Sequence, residues 1–205
     1  MPPDWPSRLL QLSAGSALLL IAAASLIVPR VLYADNAPPL GGVTDYAATS
    51  NAEKAQELVK TAINLTDSDQ ALKLLWQATD IDPQLEDPYV YLGLYYNSRS
   101  DFEKVIEVYQ KLVKYQPKES SAYLNIGEAY MSFNPPRTGN ALVYYQKALD
   151  LDPSSSFAAL RIGEIYAEQG NRAMAVRYLK LAGSDTKNPD VAAEANHYLS
   201  QMGAS

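Results

Sequence analysis

Prolines recur along this chain at the interval of a structural repeat: Pro83 and Pro117 stand 34 residues apart, and Pro153 follows 36 later. Glycines keep the same interval at Gly93, Gly127 and Gly163, and each is followed three residues on by a tyrosine: Tyr96, Tyr130 and Tyr166. The hexapeptides Ala78-Thr79-Asp80-Ile81-Asp82-Pro83 and Ala148-Leu149-Asp150-Leu151-Asp152-Pro153 differ at only two positions. A period near 34 points first to a repeat built from a pair of antiparallel helices. Such a pair cannot bury its apolar face alone, so each repeat must stack on its neighbours and the expected fold is an all-α superhelix.

Residues between the markers carry a resemblance. The chain resembles the tetratricopeptide-repeat (TPR) family, whose pattern has a large residue at repeat position 4, Gly or Ala at 8, Tyr at 11, Ala at 20, an aromatic at 24, Ala at 27 and Pro at 32. One repeat supplies Tyr89, Gly93, Tyr96, Tyr109 and Pro117; the next supplies Tyr123, Gly127, Tyr130, Ala141, Tyr145, Ala148 and Pro153. A further repeat keeps Gly163, Tyr166, Ala175 and Ala182, and the first keeps Ala71, Ala78 and Pro83 with Val59 in place of the glycine. Val105 and Leu112 depart from the small residues of the pattern.

The resemblance implies four helix-pair repeats, at about 51–84, 85–118, 119–154 and 155–189, closed by a capping helix over 190–202. Asn188-Pro189 is expected to open that last helix, and Ser100-Asp101-Phe102-Glu103 reads as a capping box. The two extra residues of the third repeat fit Asn134-Pro135-Pro136-Arg137-Thr138-Gly139, in the turn between its helices.

Ahead of the repeats, Leu9 to Val28 runs twenty residues without a charge, bracketed by Arg8 and Arg30. That is enough to span a bilayer as a helix, with Leu9, Leu18, Leu20, Ile21 and Val28 facing lipid. Trp5 and Tyr33 lie just outside the arginines, where amphipathic rings suit headgroups. Residues 1–33 therefore read as a single-pass anchor. A cleaved signal peptide cut after Ala34 is the competing reading, although the run exceeds the usual apolar core of about 7–15 residues. The short tail carrying Arg8 favours a cytoplasmic N-terminus, which puts the repeats on the extracytoplasmic, periplasmic or lumenal side. Residues 34–50, rich in Pro and Gly near their start, read as a linker.

The resemblance also implies that ligands lie along the concave face formed by the first helix of each repeat. Positions pointing there are Val90, Tyr91, Leu94 and Asn97, then Leu124, Asn125, Glu128 and Met131, then Leu160, Arg161, Glu164 and Glu168. Tyr91, Leu94, Asn125, Glu128, Arg161 and Glu164 are the candidate partner-binding residues, for an extended peptide or a partner helix. Replacing Asn125 and Arg161 together by alanine is expected to weaken binding and leave the domain folded. Family members that hold chaperone tails use a clamp of Lys, Asn, Asn, Lys and Arg. Only Asn125 and Arg161 remain here, with Val90, Leu94 and Phe157 at the other places, so Hsp70 or Hsp90 C-terminal tails are not expected as ligands.

Composition narrows the function. A net charge of −6 argues against nucleic acid, whose affinity rests on clustered Lys and Arg. With no cysteine and one histidine, His197, thiolate and imidazole chemistry have almost no material. No nucleophile–base–orienter set, metal cluster or phosphate-binding glycine loop is visible, so neither cofactor nor catalysis is expected. Asp80 with Asp82 and Asp150 with Asp152 lack calcium-loop spacing and belong to the repeat's turn. A tether plus a groove leads to the expectation of a membrane-tethered interaction scaffold, an adaptor or assembly factor for a membrane complex; the photosynthetic, respiratory or secretion kind is what the resemblance to membrane-anchored repeat proteins implies. The alternative is a permanent accessory subunit of such a complex.

Overall fold

The computed structural model describes residues 43–204, with side chains described from Ser50 onward. The segment over 1–33 read as an anchor, with Leu9, Leu18, Leu20, Ile21 and Val28, lies outside the described residues. Among these, no helix is long and apolar enough to cross a membrane. The described chain is all helix and turn: α1 (Val43–Ile63), α2 (Ser68–Ile81), α3 (Asp87–Ser98), α4 (Phe102–Tyr115), α5 (Ser120–Met131), α6 (Thr138–Leu151), α7 (Ser156–Glu168), α8 (Arg172–Gly183) and α9 (Pro189–Gln201). These are four helix pairs and a closing helix. One boundary differs: α1 already begins at Val43, inside the span read as linker.

Each of the last three pairs closes where a glycine of its first helix meets a large side chain of its second. A Cβ on Gly93 would lie 2.6 Å from the Tyr109 hydroxyl, and one on Gly163 would lie 2.8 Å from Leu179 Cγ. A Cβ on Gly127 would run into the ring of Tyr145, itself fully buried. Alanines complete the close approach, and Ala78, Ala122, Ala141, Ala148, Ala175 and Ala182 are all fully buried. Val105 and Leu112 are buried where small residues were expected, so α4 fills its contact with bulk.

Successive pairs are joined by turns that the recurrent tyrosine and proline explain. The hydroxyl of Tyr89 donates to the carbonyl of Pro83, and that of Tyr123 to the carbonyl of Pro117, each at 3.1 Å. The acids of the repeated hexapeptides serve the same turns: Asp82 accepts from the Gln84 amide and Asp152 from the Ser154 amide, both at 3.0 Å. These are Asx turns, which satisfy backbone donors that a helix end leaves orphaned. The second helices align through side chains about one repeat apart, as Tyr178 donates to Gln146 at 3.0 Å and Lys111 to Asp80 at 2.7 Å.

Helix ends follow the sequence with two differences. Asp101, not Ser100, caps α4, accepting from the Lys104 amide at 3.1 Å, while Ser100 sits at φ 59°. Its counterpart ahead of α8 is Gly170, at φ 72°, followed by Asn171 as N-cap of α8. Asn188 precedes Pro189 at the start of α9 as expected, but its side chain makes no capping bond. It donates instead to Asp185 at 2.7 Å. That bond, after one from Ser156, holds the Asp185 carboxyl down at about 2. The inserted Asn134–Gly139 segment does fall at the α5–α6 turn, where Arg137 lies 3.7 Å over the Phe133 ring and Phe133 meets Phe102 edge-on at 5.6 Å. Helix α9 buries Val191, Ala192, Ala195 and Leu199 and turns His197 to solvent, where it meets Gln201 at 2.8 Å.

Two substitutions test this packing with opposite signs. Gly127→Ala should destabilise the domain by about 1–2 kcal/mol, because overpacking against a buried ring exceeds the gain in helix propensity. Ser100→Gly should stabilise it by about 1 kcal/mol by relieving left-handed backbone strain. Urea unfolding followed by circular dichroism reads both.

A third expectation concerns the N-terminal ends of α3 and α5. Glu86 is pushed above the ordinary carboxyl value by burial first and then by Glu119 and Asp87, against a hydrogen bond with Ser121. Its ionised form is therefore penalised in the folded state, so the stability it allows is complete at low pH and is lost as pH rises through the elevated value. Glu86→Gln should raise the melting temperature at pH 7, and the gain should vanish below about pH 4.

Candidate functional site

The first helices α3, α5 and α7 each bury one stripe against their repeat partners and leave an adjacent stripe half-covered. On α3 that stripe holds Val90, Tyr91, Leu94 and Asn97. Tyr91 packs against the core of the N-terminal repeats, and burial followed by the Asp87 charge pushes its phenol up. On α5 the stripe holds Leu124, Asn125, Glu128 and Met131, all half-buried. The Asn125 amide donates to the Ser121 carbonyl of its own helix at 2.9 Å. On α7 it holds Phe157, Arg161 and Glu164, while Glu168 is exposed at the end of the helix. Leu160, expected in this row, is instead 1% exposed and belongs to the core, because its position turns toward the neighbouring pair.

The charged members of the row are joined to one another. Arg161 Nε lies 3.0 Å from Glu128 Oε1 and Nη2 lies 3.2 Å from Oε2, a bidentate pair that crosses from α7 to α5. Its Nη1 donates to Glu164 Oε2 at 2.9 Å. The guanidinium also covers the ring of Phe157 at 4.8 Å. The Tyr145 hydroxyl donates to Glu128 from α6, and the Tyr198 hydroxyl engages Glu164 from α9. A network centred on one cation thus spans α5, α6, α7 and α9, at side-chain exposures of 18% for Arg161, 19% for Glu128 and 14% for Glu164.

Burial opposes the Arg161 charge, but the two carboxylates outweigh it and hold the guanidinium firmly protonated. Tyr145 is driven well above the phenol range by burial and then by Glu128. Tyr198 is raised by burial, then by Glu164. Nothing in this arrangement resembles a poised acid, base or nucleophile, and among the described residues no cluster of acids and histidine could hold a metal.

The structure brings Glu128, Arg161 and Glu164 into contact and leaves Asn125 bonded to its own helix, whereas Arg161 and Asn125 were expected to contact a partner. Arg161 is already paired, and its loss would leave two half-buried carboxylates facing each other. The participation of Tyr145 and Tyr198 was missed. Its signal was available, since Tyr198 stands 34 residues after Glu164, one repeat on in the same register. A second concavity, an open cleft of about 610 Å³ on the outer side between α6 and α8, is lined by Leu149, Pro153, Tyr178 and Leu181 with Gln146, Asp150 and Arg177.

Residues 120–155, which are α5, α6 and the turn after them, match the tetratricopeptide-repeat family model. That one helix pair is similar to a tetratricopeptide repeat. The chain is similar to the crystal structure of TTC0263, a thermophilic TPR protein of Thermus thermophilus, at TM-score 0.53 and 22% identity over 73% of this chain and 84% of that one. It is also similar to a crystal structure of MamA, at TM-score 0.53 and 23% identity over 69% and 76% of the two chains. MamA from Desulfovibrio magneticus RS-1 aligns at 0.51 and 18% over 68% and 78%. At these identities the likeness establishes the fold. No curated protein matches the sequence.

Arg161→Ala should therefore destabilise the domain by about 2 kcal/mol or more, since removing one partner of a largely buried ion pair strands the other. Arg161→Lys should recover only part, because an ammonium cannot pair bidentately across α5 and α7. Asn125→Ala should change stability by less than about 0.5 kcal/mol. Thermal melts of the three variants make the comparison.

Proposed function

We propose that this protein is a non-enzymatic interaction scaffold whose ligand lies along the first-helix face of the repeats. The observation that carries the reading is the half-covered stripe running from Tyr91 and Leu94 on α3 through Asn125 and Glu128 on α5 to Glu164 on α7. Stacked helix pairs need their inter-repeat faces buried, but they do not need aromatic and aliphatic side chains left partly in water on one continuous side. Such a surface suits an extended peptide or a partner helix anchored by a few apolar groups.

Residues 9–28 tether the scaffold to a membrane in this reading, and the repeats lie on its extracytoplasmic side. The protein then acts as an adaptor or assembly factor that gathers components of a membrane complex. The apolar run between Arg8 and Arg30 supports the tether, and the short Arg8-bearing tail supports the orientation. Arg161 is already neutralised by Glu128 and Glu164, which disfavours capture of a free terminal carboxylate such as a chaperone tail.

Affinity purification of the full chain from detergent-solubilised membranes should recover a polypeptide in stoichiometric amount, and Leu94→Asp should deplete it at least tenfold. Recovery of nothing stoichiometric, or recovery indifferent to Leu94→Asp, removes the scaffold reading. Protease added outside sealed membranes should spare the repeats if they are lumenal or periplasmic, and digestion from the cytoplasmic side reverses the orientation.

A further inference from the structure

Charge is segregated between the two helix types of the repeats. The first helices of the last three pairs, together with the closing helix, carry six acids, Asp87, Glu128, Glu164, Glu168, Asp190 and Glu194, against one base, Arg161. The second helices α2, α4, α6 and α8 carry eight Lys or Arg and five Asp or Glu. A chain of net charge −6 therefore concentrates its negative charge on the first-helix side and leaves the opposite side with a surplus of bases.

Helix stability does not explain the acidic side. Asp87 and Asp190 sit in first turns, where the helix dipole favours an acid. Glu128, Glu164 and Glu168 lie in the C-terminal halves of α5 and α7, where the same dipole disfavours one. No base occupies the last turn of α3, α5, α7 or α9 to offset them. Arg161 compensates Glu128 and shares Glu164, but Glu194 on α9 adds to the same field, acting with Glu164 on Tyr198. The stripe thus has an apolar end at Tyr91 and Leu94 and an end of surplus negative charge at Glu164, Glu168 and Glu194.

Resting on the scaffold reading above, we propose that the partner of this groove is a basic and apolar polypeptide segment. A large apolar side chain of the segment seats against Tyr91 and Leu94, and a Lys or Arg reaches the α7–α9 acids. Arg161 on α7 reaches Glu128 on α5 by its side chain, so neighbouring first helices stand side by side, and at a spacing of about 10 Å α3 and α7 are separated by about 20 Å. An extended strand rises about 3.3 Å per residue, which puts the apolar and basic positions about six residues apart. Complementary charge of this kind governs which segment is accepted and how fast it arrives.

The test is selection of a phage-displayed random decapeptide library on the full chain in detergent micelles, followed by fluorescence anisotropy of one enriched peptide. The expected consensus carries Lys or Arg and a large apolar residue about six positions away. Its affinity should fall with added salt and drop at least tenfold in Glu168→Lys/Glu194→Lys, two half-exposed or exposed positions whose change should not lower the melting temperature. An acidic or uncharged consensus, no enrichment, or affinity unaltered in the double variant overturns the proposal. If a stoichiometric, Leu94-dependent partner is nevertheless recovered from membranes, the scaffold reading stands while the basic-segment proposal falls. Enrichment of peptides matching the chain's own second helices would identify a second copy as the occupant and likewise overturn it.

Discussion

The closest approach within a helix pair is between a glycine on the first helix and a bulky side chain on the second. Gly93 faces Tyr109, Gly127 faces Tyr145, and Gly163 faces Leu179, with no room for a methyl group at any of the three. Everything else hangs on that distance. Because the two helices touch there, the tyrosines three residues after the glycines can meet aromatic neighbours: Tyr130 stacks on Tyr144 at 5.5 Å and Tyr166 on Tyr178 at 5.9 Å. The contact joins the two helices into one unit, and successive units of this kind stack on their neighbours.

Stacking also decides what the first-helix face can be. Tyr145 is held by Gly127 on one side and donates its hydroxyl to Glu128 on the other, so the residue that closes a pair also orients a carboxylate of the groove. Glu128 in turn fixes Arg161 of the next repeat, and Arg161 fixes Glu164, which receives Tyr198 of the closing helix. A structural contact is thereby converted, step by step, into a preorganised polar wall. The α3 end is apolar at Tyr91 and Leu94, with Tyr91 packed and Leu94 half-open. One end of the face is thus cross-linked by charge, and the other presents apolar side chains.

Much of this was legible in the sequence. A proline, a glycine and a tyrosine recurring at one interval fix the pair, its closest contact and its turn, because each residue type has a backbone or packing reason to recur. Helix pairs, the closing helix and the insertion between α5 and α6 followed from that register. What the sequence left open was how side chains at register positions satisfy one another. Leu160 sits in the core and not in the groove because a helical position near the edge of a stripe can turn either way. Arg161 looked like an available cation until its distance to Glu128 was known. Ser100 held a left-handed conformation that its residue type does not announce, and Asp101 therefore took the cap.

The account's central claim is that partners meet the first-helix side of the repeats and not the second-helix side. Site-specific photo-crosslinking in native membranes tests it directly, with benzoylphenylalanine placed at Leu94 in the groove or at Val143, which is 67% exposed on α6 of the outer face. The account predicts a discrete crosslinked polypeptide from position 94 and none from position 143. A product formed from 143 alone would place the working surface on the second helices and contradict it.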